Sequence, residues 1–173
     1  MQANPGFERV VRSGGRTFLF QVETSGRAAD YAKYDVLRQE IWGFAEDHLP
    51  SERNLMCENF LHEGGSLMIA VTDCGPDAGP GSGGERLAGF SYGFVGIRDK
   101  NLGFRSAENL WFYSQYTGVK EEYRTFGLGV KIKEFQAEVL RGAFGITAVV
   151  CTYDPLTAVN ARRNVRHFGM EVK

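Results

Sequence analysis

The stretch VKEEYRTFGLG, residues 119–129, decides how the rest of the chain is read. Before it lies LWFYSQYTGV, residues 110–119, whose aromatic and β-branched side chains predict a strand ending at Val119. After it, Val130, Ile132, Phe135, Val139 and Leu140 recur at helical spacing, which predicts a helix from Gly127 to about Phe144, ended by Gly145. The turn between strand and helix carries R-x-x-G-x-G, from Arg124 to Gly129. A helix begins with backbone N–H groups that have no internal partner, and its peptide dipoles add about half a positive charge there. Glycine lets an anion approach that backbone closely. The pattern therefore suits a diphosphate, with Arg124 at the lip and Lys131 and Lys133 further along the helix. The alternative, which the strand-and-helix context disfavours, is a glycine-rich turn that only lets helix and strand pack closely. A Rossmann G-x-G-x-x-G fails at Ile132, and no P-loop is present.

Working outward, ITAVVCTY (146–153) is a nearly continuous apolar run, as in a strand buried on both faces. Asp154-Pro155 breaks it. A last helix is expected from about Thr157 to Phe168, ended by Gly169, with Met170–Val172 beginning another strand. This order predicts a crossover joining parallel neighbours. Upstream, residues 16–23 predict a strand, Asp30–His48 a helix, and Ser51–His62 a second helix after Pro50. Leu67–Thr72 and Leu87–Ile97 read as strands around the glycine-rich loop 73–86. The expectation is one α/β (α+β) domain over 1–173, a mixed central sheet flanked by helices.

Length and composition agree. A chain of 173 residues holds one domain and buries its own core. Lys and Arg total 20 against 21 Asp and Glu, a formal charge of −1, which argues against a general nucleic-acid binder, as does Glu121-Glu122 beside the loop. No apolar run reaches the roughly 18 residues of a membrane span, and the first residues lack a signal-peptide core. Cys57, Cys74 and Cys151 form no CxxC pair, and His48, His62 and His167 stand far apart, so no metal is expected. Scattered thiols suit a reducing, cytoplasmic setting.

The block VKEEYRTFGLGVKIK (119–133) resembles motif A of the GCN5-related N-acetyltransferase (GNAT) superfamily. The resemblance extends over about residues 16–172 and is most specific over 110–172. With TYDPLTAVNARRNVRHFGM (152–170), it is similar to a poorly characterised branch, some relatives of which acylate amino acids. It implies a sheet whose middle strands splay, and acetyl-CoA or another acyl-CoA in the opening. Backbone groups of Thr117, Gly118 and Val119 would pair with the pantetheine. The N–H groups of Arg124, Thr125, Phe126, Gly127, Leu128 and Gly129 would hold the diphosphate. Asn160 and Arg163 on the last helix would flank the thiol end. The implied reaction is acyl transfer to a primary amine of a small molecule or amino acid. The alternatives are a non-catalytic module of the same fold that binds acyl-CoA, and a purely structural interaction domain.

The chain departs from the family pattern in three places. Glu121 stands where many members have proline. Val165 stands where many have a general-acid tyrosine, and no carboxylate occurs between Asn109 and Lys120 for the usual base. Tyr113 and Tyr153 are the remaining catalytic candidates. By strict alternation Trp111, Tyr113, Gln115 and Thr117 share one face, which either lines an acceptor site or packs against a helix. Tyr153-Asp154 ends a strand and marks either a ligand site or an Asp-Pro turn. Asn160 and Asn164 share a helix face, while Arg162, Arg163 and Arg166 either meet a phosphate or face solvent. His167 has no partner in the sequence pattern. The family's sheet continues past Met170, so a homodimer or a longer parent chain is also expected.

Overall fold

The computed structural model describes residues 7–43, 65–76, 79–81, 83–152 and 161–172. Its order is β1 (Glu8–Ser13), β2 (Arg16–Val22), a 3₁₀ turn (Ala28–Tyr31), α1 (Ala32–Trp42), β3 (Ser66–Gly75), β4 (Arg86–Ile97) and β5 (Leu110–Val119). A 3₁₀ segment (Glu121–Phe126), α2 (Leu128–Val139), β6 (Val149–Val150) and a C-terminal helical segment (Arg162–His167) follow. The strands form one mixed sheet in the order β1-β2-β3-β4-β5-β6, antiparallel except for the parallel β5–β6 pair. The predicted strands at 16–23, 67–72, 87–97 and 110–119 are all present.

β3 is the strand buried on both faces. Leu67, Ile69 and Val71 alternate with Met68 and Ala70, and the two sets enter different cores. One core joins the first set to Phe18, Phe20 and Phe112 and to Leu128, Ile132, Phe135 and Val139 of α2. The other joins Met68 and Ala70 to Phe90 and Tyr92, and to Tyr31, Tyr34 and Leu37 at the start of α1. Helices thus cover both faces, as two-sided apolar strands require.

Several expectations are corrected. Glu8–Ser13 adds an unpredicted edge strand, turned into β2 by Gly14 and Gly15 at φ 56° and 74°. Such a two-residue turn favours residues without a Cβ. α1 stops at Trp42, where Gly43 takes φ 71°, so the helix is shorter than the span to His48. β3 runs on to Gly75. Of the described part of 146–153, residues 146–152, only Val149 and Val150 pair, and both are half-buried, so β6 is a short strand paired on one side among the described residues. Met170–Val172 is not a strand. α2 continues as a wide turn over Leu140–Phe144 before Gly145 ends it at φ 66°. The expected helix at 51–62, and with it Cys57, His48 and His62, lies outside the described residues. Among the described residues, no helix is long and apolar enough to cross a membrane.

Candidate active site

The site is built where β5 parts from β6. Their pairing is confined to Phe112↔Val149 and Tyr113↔Val150. β5 then continues to Val119 with β4 on one side and no strand on the other among the described residues. Thr117, Gly118 and Val119 lie on this free arm, about 17 Å long from Ser114 at ~3.4 Å per residue. The splay expected between middle strands is found instead at the β5–β6 end of the sheet among the described residues.

A bulge re-aims the free arm. Tyr92 pairs with Tyr116 and Gly93 with Ser114, leaving Gln115 as the extra residue. Strict alternation therefore breaks, and the shared face of Tyr113, Gln115 and Thr117 is corrected. Tyr113 packs on Phe94, on the α1 side, with ring centroids 5.4 Å apart. Thr117 turns toward the α2 side, where its hydroxyl is 3.4 Å from Ser91 Oγ, itself held by the buried amide of Gln136 at 2.7 Å. Bulges of this kind commonly sit beside functional sites. Gly93 allows it, because a Cβ there would stand 2.3 Å from the Tyr113 carbonyl oxygen.

At the far end of the arm the chain enters the 3₁₀ segment and reaches α2 through Gly127, at φ 68°. No side chain caps α2, and nothing lies within 4 Å of the place a Gly127 Cβ would take. The helix thus starts without a side-chain cap and with open space at Gly127, while Leu128 and Gly129 behind it are buried. The amides of Val130 and Lys131 already approach the Gly127 carbonyl.

The tip is anchored from the hairpin. Phe126 packs on Phe18 and Tyr123, and its carbonyl accepts the Ser13 hydroxyl at 3.0 Å. Gly14 makes room, since a Cβ there would stand 2.7 Å from the Phe126 ring. Tyr123 is held in turn by Asp73, which is 2% exposed and receives Arg16 Nε at 3.1 Å and the Gly75 amide at 3.0 Å. Burial pushes the Asp73 carboxyl up, but the hydrogen bonds from Arg16, Gly75 and Tyr123 outweigh it and hold it below its ordinary value. A cleft of about 490 Å³ adjoins this pair, lined by Arg16, Asp73 and Arg86 among others.

The C-terminal segment closes the other side. The Arg163 guanidinium lies over Gly129, 3.0 Å from the place a Cβ would occupy. With Val130, Arg162, Arg166 and His167 it lines a basic groove of about 460 Å³ beside the tip. Arg124 and Thr125 are exposed on the 3₁₀ segment, and Arg124 Nε reaches back only to 3.5 Å from the Val119 carbonyl. His167, unpartnered in the sequence reading, stands 3.6 Å from Glu134 and edge-on to Phe168.

The inner end of the fork holds polar groups that the sequence reading did not join. On the α1 side the Tyr113 hydroxyl bridges to Thr152 Oγ1 at 2.9 Å. On the α2 side Lys133 Nζ donates to Ser114 Oγ at 2.7 Å, and Asn164 Nδ2 lies 3.8 Å from Cys151 Sγ. Lys133 therefore turns into the sheet, not outward to a phosphate. Burial drives its ammonium below its ordinary value, the Cys151 thiol opposes this, and Arg163 adds to it. The four-residue step from Gly129 to Lys133 was the available signal, but helical spacing alone cannot show which strand the side chain meets. Tyr153, Asp154 and Asn160 lie outside the described residues. No group of metal-ligating side chains occurs among the described residues.

By sequence, no family profile and no curated protein matches the chain. Solved structures do match it in fold. An aminoglycoside acetyltransferase from an uncultured soil metagenomic sample superposes with a TM-score of 0.64 at 11% identity, covering 90% of this chain and 91% of that one. The aminoglycoside N-acetyltransferase AAC(6')-Iy, solved in complex with CoA, gives 0.61 at 15% identity over 94% and 93%. A Trypanosoma brucei acetyltransferase gives 0.58 at 12% identity over 89% and 94%. The chain has the GNAT fold.

Proposed function

We propose that the protein is an acyl-CoA-dependent N-acyltransferase acting on a primary amine of a small molecule or amino acid. The observation that carries this is the uncapped tip of α2 at Gly127, set at the outer end of a strand arm with one side unpaired. An extended pantetheine fits that arm as an added strand would, through the backbone of Thr117, Gly118 and Val119. The diphosphate falls at the amides from Arg124 to Gly129, and the basic groove of Arg162, Arg163 and Arg166 meets further phosphate charge. The thioester then reaches the inner end of the fork. There the amine attacks directly, and the protein contributes position and a polarised carbonyl. Tyr113, its hydroxyl on Thr152, borders the acceptor side. The structures with CoA and with a CoA-linked analogue bound, both of aminoglycoside acetyltransferases, support a cofactor of this class. No metal enters this scheme.

The test has two arms. Titration with acetyl-CoA or CoA raises the melting temperature, because a ligand of the native state stabilises it. Release of free thiol across a panel of amines then separates an enzyme from a binding module of the same fold. No shift with any acyl-CoA contradicts the reading; a shift without thiol release favours the module.

A further inference from the structure

Ser114 is the first residue of β5 beyond the last β5–β6 pair, and Cys151 is the first of the other arm. Both stand at the crotch of the fork, on the side covered by α2 and the C-terminal segment. An apolar core would be the ordinary filling there. Instead Lys133 extends from α2 with its ammonium 2.7 Å from Ser114 Oγ. Its carboxylate neighbours are elsewhere: Glu134 faces His167, and Glu138 pairs with Arg9. The groups that face Lys133 are the Ser114 hydroxyl, the Cys151 thiol and the Arg163 guanidinium. No carboxylate is among them, so a largely buried cation has a hydroxyl as its hydrogen-bond partner. Such a cation is costly unless a negative charge arrives.

Acyl transfer delivers that charge at this place. On the reading above, with diphosphate at the α2 tip and pantetheine along β5, the sulfur comes to the crotch. We propose that Lys133, aligned by Ser114, stabilises and protonates the departing CoA thiolate. The amine nitrogen forms a bond to the thioester carbonyl carbon. The tetrahedral intermediate collapses, the carbon–sulfur bond breaks, and its electron pair leaves on sulfur. One proton passes from the Lys133 ammonium to sulfur, giving CoA thiol and a neutral lysine. The attacking nitrogen loses one proton to solvent, and solvent returns one to Lys133, so the balance is amine plus thioester to amide plus thiol. Lys133 thus fills the role left open by Val165. Burial favours it, since a desolvated ammonium gives up its proton more readily than an exposed one.

This inference rests on the proposed function, and the experiment separates the two. CoA is bound to the intact protein, and its thiolate is titrated by ultraviolet absorbance against the complex with desulfo-CoA. In the parent, the bound thiol titrates about 1–3 pH units below free CoA, as for a group beside an opposite charge. In Lys133→Met and Lys133→Gln the coenzyme still raises the melting temperature, while its thiol returns toward the free value. A bound thiol that titrates as in free CoA in the parent, or identically in parent and variants, overturns the role of Lys133 and leaves the binding site standing. Failure of CoA to shift the parent's melting temperature overturns the proposed function itself, and this inference with it. Because the parent alone must show the lowered value, the proposal stays decidable even if a variant does not fold.

Discussion

Gly127 concentrates the residue-scale demands of the site. Its φ of 68° strains any other residue, yet a side chain there enters open space. Gly127→Ala should therefore cost about 1–2 kcal/mol of stability and keep most of the CoA-induced melting shift. Gly127→Glu should fold as well as the alanine variant and lose the shift, because a carboxylate then occupies the anion's place. Equal shifts in both would show that the tip is not the binding point. Asp73 makes a different prediction. Its folded carboxyl lies below the ordinary value, so its contribution to stability is complete above the unfolded value and is lost as pH falls through the folded one. Asp73→Asn should flatten this acid limb in denaturation midpoints measured against pH. An unchanged limb would place the acid sensitivity elsewhere, for instance at Glu23, where hydrogen bonds from Lys33 and Tyr34 outweigh burial to give the same direction of shift.

At the scale of elements, the β5 bulge governs what the fork presents. Gly93 stands opposite it, and a methyl group there meets the Tyr113 carbonyl at 2.3 Å. Gly93→Ala should cost about 1–3 kcal/mol, the usual penalty of overpacking, and should reduce CoA affinity by distorting the arm. A variant with unchanged stability and affinity would show that the strands adjust freely. The elements themselves were legible in the sequence where apolar periodicity was long: α2 and the strands β2 to β5 stand close to their expected places. β1 was not, because ERVVRS is a half-exposed edge strand whose signal is the Gly14-Gly15 turn and not its own hydrophobicity. The bulge was not legible either. Alternation assumes an unbroken ladder, and only the pairing of β4 with β5 reveals that Gln115 is extra. The loop proposed to hold a diphosphate was legible because its residues are contiguous. The crotch was not, since Ser114, Lys133, Cys151 and Asn164 come from four separate elements or segments and meet only after folding.

At the scale of the whole molecule, a chain of formal charge −1 gathers three arginines in one groove beside the α2 tip. That local excess suits the anionic ligand proposed above. Reversing Arg162 and Arg166 to glutamate together should weaken CoA binding roughly tenfold or more, the scale of a lost charged hydrogen bond, and should lessen its dependence on salt. Affinity unaffected by the double reversal would detach the groove from the coenzyme. The most direct measurement is an electron-density map of the protein soaked with CoA. Density is expected for the diphosphate on the amides around Gly127, for the pantetheine along Thr117–Val119, and for the sulfur at Ser114 and Lys133. Coenzyme density in the cleft beside Arg16 and Arg86, or anywhere else away from the α2 tip, would contradict this placement.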